Sequence, residues 1–170
     1  METPQRILIL GPGGAGKSTL ARQLASRLDL PLIHLDQHHW QPGWVPMEED
    51  RWPGTVEALS ARERWVMDGN YAASLPMRLS RADLVIVLEA SRLKSIWRAF
   101  TRVVKTFGRV RPDMAPGCPE RFSLEFFVWL WNFPRDTKPQ LEDVLARHGV
   151  SRKIIRLRTD SDIRAFLHGY

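Results

Sequence analysis

The chain has 170 residues and a formal net charge of +6, with 44% hydrophobic and 26% charged side chains. That length suits one domain burying roughly 70% of its unfolded surface, and the composition excludes a disordered or fibrous protein. The single cysteine, Cys118, excludes an internal disulfide and suits a reducing compartment. Residues 1–30 show no signal-peptide pattern, and no run approaches the ~18 apolar residues of a membrane span. The expectation is one domain, residues 1–170, in the cytoplasm and with no membrane partner.

Ile7-Leu8-Ile9-Leu10 is a short apolar run of the kind that forms a strand buried on both faces. Gly11-Pro12-Gly13-Gly14-Ala15-Gly16-Lys17-Ser18 follows, then Thr19, and Leu20, Leu24 and Leu28 recur at helical spacing up to Asp29. Strand, glycine-rich loop and helix form the context of a P-loop, whose amides and helix N-terminus wrap an anion. The expected nucleotide contacts are Gly11, Gly13, Gly14, Ala15, Gly16, Lys17, Ser18 and Thr19. Lys17 reaches the β- and γ-phosphates, and the Ser18 hydroxyl is a magnesium ligand.

Residues 31–36 read as a second strand ending at Asp36. Residues 38–46 are too rich in Pro and Trp for regular structure, and a helix over 47–62 turns Val56 and Leu59 inward. Trp65-Val66-Met67-Asp68 is a third strand ending in a carboxylate, followed by Gly69-Asn70-Tyr71. A weak helix over 72–81 is interrupted by Pro76, and Leu84-Val85-Ile86-Val87-Leu88 is the fourth strand. Residues 91–107 form an amphipathic helix whose apolar face is Leu93, Ile96, Trp97, Phe100, Val103, Val104 and Phe107. Residues 109–120 are a loop holding three prolines and Cys118, which sits in a turn without an activating base. A helix over 122–133, with six aromatics, is either buried nearly all round or a face on which two copies pair. A short helix over 140–148, an edge strand over 153–157 and a last helix capped by Asp160 or Ser161 complete the chain.

Alternating strands and helices argue for a parallel sheet with helices on both faces, with ligands beyond the carboxyl ends of the strands. Asp36, Asp68 and the P-loop share that rim. Asp68 is the expected magnesium carboxylate, with Glu89 its competitor, and Asp36 is expected to bond a substrate hydroxyl. His34, Asp36, His38 and His39 offer donors that suit zinc, but only His34 and Asp36 share a strand face and no thiolate is near. Trp40, Trp44 and Trp52 could stack on a flat substrate or pack around the proline-rich loop. Residues 91–112 carry seven basic side chains (Arg92, Lys94, Arg98, Arg102, Lys105, Arg109, Arg111) and no acid, while the remaining 18 basic and 19 acidic residues nearly balance. So local an excess reads as an anion-binding lid more than as a coat for nucleic acid.

These segments resemble P-loop kinase-type nucleoside triphosphatases of the adenylate kinase-like group. More narrowly they resemble the bacterial proteins labelled DNA topology modulation protein. The resemblance rests on Gly11 to Thr19, His34-Leu35-Asp36 with Trp40 to Trp44, Trp65 to Tyr71, Arg81-Ala82-Asp83, and Arg111 to Arg121. It implies a three-layer α/β/α fold, a five-stranded parallel sheet in the order 2-3-1-4-5, a substrate-binding insert at about 37–63 and a helical lid at about 91–139. It also implies that Arg98 and Arg102, four apart, are lid arginines, and that Arg135 on the returning arm contacts phosphate. Asn70-Tyr71 stand where an adenylate kinase has an arginine for the monophosphate, which argues against AMP as acceptor.

The expected activity is ATP- and magnesium-dependent phosphoryl transfer to a small molecule, with nucleotides among the acceptors considered. Lys17, Asp68, Arg98 and Arg102 serve the chemistry, Ser18 and Asp68 the metal, and Asp36, Trp40, Asn70 and Tyr71 the acceptor. The rival is a nucleotide-gated ATPase or regulator acting on DNA or a protein, although no nucleic-acid-binding module is recognisable.

Overall fold

A computed structural model describes residues 3–149 and 153–170. Five parallel strands form the main sheet: β1 (Arg6–Leu10), β2 (Leu32–His34), β5 (Trp65–Asp68), β6 (Leu84–Leu88) and β7 (Lys153–Leu157). A two-stranded antiparallel ribbon, β3 (Trp40–Gln41) and β4 (Val45–Pro46), stands apart from it. The main sheet runs β2-β5-β1-β6-β7, which is 2-3-1-4-5 when only its own strands are numbered. β7 lies at an edge.

Side-chain alternation along the strands explains the three layers. Ile7, Ile9, Val66, Leu84 and Ile86 face α1 (Lys17–Leu28) and α7 (Asp160–His168), meeting Leu20, Leu24 and Leu167. Leu8, Leu10, Met67, Val85 and Val87 face the other way. They meet α3 (Arg51–Ser60), α4 (Leu75–Arg81) and α6 (Leu124–His148) through Val56, Leu59, Leu75, Leu79, Leu141 and Leu145.

Several local expectations are corrected. The second strand stops at His34, and Asp36 lies in α2 (Leu35–His39), so 38–46 contain a helical turn and a hairpin. The helix expected over 47–62 is α3, four residues shorter at its start, with Val56 and Leu59 buried as expected. Pro76 does not interrupt a helix: it occupies the first turn of α4, where its missing N–H costs nothing. Thr159 caps α7, in a capping box with Asp162, in place of Asp160 or Ser161.

The larger corrections concern α5 (Arg92–Thr106) and α6. The face of α5 that turns inward is Ser95, Ala99 and Val103, while Leu93, Trp97 and Phe107 are 72%, 66% and 65% exposed. The reason is the P-loop: a Cβ on Gly14 would stand 2.3 Å from the Ser95 carbonyl oxygen. Only small side chains on α5 permit that approach, so the larger ones are left outside. The segment 122–133 is not buried all round either, since Phe122, Leu124, Val128 and Trp131 are exposed and only Leu130 and Phe133 are core. It also joins 140–148 in one 25-residue helix that runs through Pro134 and Pro139. Phe133, Leu141 and Leu145 join the core on the face of the sheet that meets α3 and α4, on both sides of the prolines. Among the described residues no helix is long and apolar enough to cross a membrane.

Candidate active site

The P-loop is an open cradle. Ala15 donates to the Pro12 carbonyl at 3.3 Å, but the amides of Gly13, Gly14 and Gly16 and those of the first turn of α1 meet no protein acceptor among the described residues. Gly14 and Gly16 hold φ of 73° and 98°, a conformation that glycine adopts without strain. Lys17 folds back over the loop, donating to the carbonyls of Gly11 at 2.8 Å and Pro12 at 2.9 Å. Burial pushes its ammonium below the ordinary lysine value, against the opposing pull of Asp68 and Asp36. Asn70 clasps the base of the loop: the Gly11 amide donates to its Oδ1 at 3.0 Å, and its Nδ2 donates to the Gly11 carbonyl at 2.9 Å.

The strand ends supply the opposite wall. Asp68 pairs in register with His34 across β5 and β2. Its Oδ1 lies 2.7 Å from His34 Nδ1, with both side chains buried. Asp36 accepts the Tyr71 hydroxyl at 2.6 Å, and burial, then the Asp36 charge, push that phenol well up. Tyr71 itself holds a left-handed φ of 35°. The strain is secured by Arg78, fully buried on α4, which donates to the carbonyls of Gly69 (2.8 Å), Asn70 and Tyr71 (2.9 Å). Burial without a carboxylate partner draws its guanidinium down to about 9. No sequence motif marks Arg78. Its one signal is a charge beside Leu75 and Leu79 on the inward face of α4.

A roof comes from the loop between α5 and α6. Gly43 donates to the Gly117 carbonyl at 2.9 Å, Trp44 Nε1 to Pro119 at 3.0 Å, and the Cys118 thiol to Gln41 at 3.1 Å. Met114, Ala115 and Cys118 make a small core with Trp40 and Trp44. Beneath it, Arg111 hydrogen-bonds Asp113 at 2.8 Å, and Glu120 forms ion pairs with Arg111 at 2.6 Å and Arg102 at 3.2 Å. Burial raises the Asp113 carboxyl, but Arg111 and then the Ser18 hydroxyl outweigh this and hold it low. P-loop, strand ends and roof enclose a cleft of about 1230 Å³.

No family model matches the chain. A shikimate kinase from Rhodococcus jostii is 28% identical over 174 residues, covering 92% of this chain and 89% of that protein. A bifunctional pantoate ligase/cytidylate kinase from Gloeobacter violaceus is 41% identical over 76 residues, 43% of this chain but only 15% of that protein. Among solved structures, shikimate kinase from Acinetobacter baumannii in complex with shikimate superposes with a TM-score of 0.64 at 17% identity, over 99% of this chain and 91% of the other. A gluconokinase from Sinorhizobium meliloti gives 0.53 at 16% identity, over 99% and 94%. The fold is that of the P-loop kinases.

In this P-loop kinase fold, Gly13 to Thr19, Asp36, Trp40, Asp68, Asn70, Tyr71, Arg98 and Arg102 all line the one cleft. Other placements differ from expectation. Each end of the Asn70 amide makes one hydrogen bond to Gly11. Arg98 is turned to Asp160 at 2.8 Å, which Lys94 shares at 3.0 Å. Arg135 is 72% exposed, bonds its neighbour Asp136 and lies outside the cleft. Glu89 also lies outside it, held by Arg156 and Arg158. Of the seven basic residues in 91–112, four pair with acids and Arg92 covers the Trp131 ring, so the run is an internal network more than a free cationic surface. His34, Asp36, His38 and His39 do not form the suggested zinc site. Among the described residues no three His, Cys, Asp or Glu side chains converge to hold a metal. Asp113 was missed by sequence reasoning, although it stands inside the quoted Arg111 to Arg121 segment.

Proposed function

We propose that the chain transfers the γ-phosphoryl group of ATP, with magnesium, to a hydroxyl of a small molecule. The observation that carries this is the set of unpaired amides at Gly13, Gly14 and Gly16 to Thr19, which share one cleft with Asp36, Trp40 and Tyr71. The relatives named for shikimate kinase and gluconokinase support a small polyhydroxylated acid as acceptor. Asn70 and Tyr71 stand where an adenylate kinase has an arginine for the monophosphate, and Asn70 already gives one donor and one acceptor to the P-loop, which weighs against AMP.

The donor set fits magnesium: the cleft offers hydroxyl and carboxylate oxygens from Ser18, Asp68 and Asp36, with too few converging acids for a cage of protein ligands alone. Such an ion relies on phosphate oxygens and water. Bound there by Ser18 and Asp68, it would neutralise charge on the phosphate oxygens. Lys17 leaves the Gly11 and Pro12 carbonyls to take phosphate oxygens, and Arg102 adds a cation from the roof side. Asp36 orients the acceptor hydroxyl and accepts its hydrogen bond. The roof segment and Trp40 exclude water, which strengthens each of these interactions.

The test is ADP release with magnesium and ATP, alone and with shikimate, gluconate and nucleoside monophosphates in turn, plus a duplex DNA arm. Acceptor-dependent release supports the proposal. Release stimulated by DNA and by none of the acceptors would replace it with the regulator reading.

A further inference from the structure

The face that α5 turns outward carries a repeat. Leu93, Trp97, Phe100, Val104 and Phe107, the last at the C-cap, follow one another at intervals of four, three, four and three residues. That is the a/d spacing with which one helix packs its seam against another. These five side chains are 43–72% exposed. Ser95 and Ala99, which turn to the P-loop, each stand two residues from Trp97 and so on the opposite side of a 3.6-residue turn. The seam therefore points away from the cleft. α6 runs antiparallel beside α5. At one end the Arg92 guanidinium lies 4.7 Å from the centre of the Trp131 ring, and at the other Gly108 donates to the Glu120 carbonyl at 2.9 Å, just ahead of α6. On α6, Leu124, Val128 and Trp131 repeat the four-three spacing and are 50–68% exposed.

We propose that a second copy of this chain covers this face, the two α5 seams packing against each other, with α6 alongside, about a twofold axis. The proposal stands independently of the phosphotransferase reading. Aromatic side chains bury about 150–250 Å² each, so at these exposures the two stripes present on the order of 1,000 Å² of apolar surface. That exceeds the ~300–600 Å² of the largest apolar patch on a typical monomer, and it reaches the ~800 Å² that each partner gives to a stable interface. Two heptads are too short to pair alone, so the α6 stripe is part of the contact. An a/d seam accepts a helix bearing the same seam, and α5 of a second copy supplies one. A twofold contact brings each residue near its own kind, so like charges beside the seam would oppose it. Of the four flanking positions, Ile96, Thr101 and Val103 are uncharged, and Lys94 is tied to Asp160 at 3.0 Å. An anionic membrane would instead call on free basic side chains along the helix, whereas Arg98 and Arg102 are paired with Asp160 and Glu120.

The experiment is sedimentation equilibrium on the full chain, with circular dichroism to follow folding. Interfaces of this size hold at micromolar concentration or below, so the unmodified chain should be dimeric at ~50 µM. Trp97→Glu and Val104→Lys each put a charge into the seam at a side chain that the single chain leaves exposed. Each should weaken the dimer at least about 30-fold, as loss of a central anchor does, while helical content and ATP affinity stay unchanged. A monomer at that concentration overturns the proposal, and co-sedimentation of the monomer with phosphatidylserine vesicles would give the face to a membrane. A dimer that survives both substitutions also overturns it, since the copies would then meet elsewhere.

Discussion

Asn70 holds Gly11 at both ends of its amide, accepting from the Gly11 N–H at 3.0 Å and donating to the Gly11 carbonyl at 2.9 Å. The end of β5 thus sets the position of the P-loop at the end of β1. Asn70→Ala removes both bonds and strands the Gly11 amide, at a cost of about 1–3 kcal/mol. The expected outcome is a lower unfolding midpoint together with weaker ATP binding by calorimetry, whether or not acceptor is present. A variant whose only defect is a raised KM for acceptor would show that Asn70 serves the acceptor after all.

Lys17 predicts a proton taken up on nucleotide binding. Burial sets its value below the ordinary 10.5 in the free protein, and phosphate oxygens favour the ammonium and push it back up. Over the window beneath 10.5, binding therefore consumes a proton, and affinity falls as pH rises. The unfolded chain also binds more protons than the free folded chain there, so the stability of the free protein rises with pH over the same window. Calorimetry in two alkaline buffers of different ionisation enthalpy reads the uptake directly. Uptake that persists in Lys17→Ala would assign the proton to another group.

The parts legible in the sequence are those whose signal is local. Ile7 to Leu10, Gly11 to Ser18 and the apolar strands ending at Asp68 and Leu88 each carry their structure in consecutive residues, and they set the sheet and the cradle. The orientation of α5 was not legible, because periodicity finds an apolar stripe but not the neighbour that forbids it. Gly14 needs Ser95 and Ala99 beside it, a requirement visible only once residues some eighty apart in sequence are in contact. Asp113 and Arg78 were hidden for the same reason. One reaches the cleft from a loop, beside Arg111, and the other bonds carbonyls, which every residue has.

Gly117 governs the seat of the roof. Its φ is 77°, and a methyl group there would lie 2.7 Å from Pro42 Cβ, beside the Gly43 to Gly117 hydrogen bond. Gly117→Ala carries roughly 1–2 kcal/mol for the left-handed conformation alone, before the contact with Pro42 is relieved. Thermal unfolding should show the loss. The KM for acceptor should rise more than that for ATP, because the displaced loop packs on Trp40 and Trp44. An unaltered midpoint would mean that the roof does not rest on this contact.

The three arginines assigned to phosphate should separate in kinetics. Arg102 lines the cleft beside Glu120, so Arg102→Ala should lower kcat substantially, up to the roughly 10³–10⁵ associated with arginines that neutralise a transferring phosphoryl group. Arg98 must first leave Asp160, so Arg98→Ala should cost less. Asp160→Asn should release Arg98 and raise nucleotide affinity, while changing stability by no more than about 1 kcal/mol, as for a surface pair. Arg135 points to solvent with Asp136, and Arg135→Ala should leave kcat unchanged. If Arg135→Ala slowed turnover as much as Arg102→Ala, the cations closing on phosphate would have to come from α6, and the placement of the site beneath α5 and its loop would be wrong.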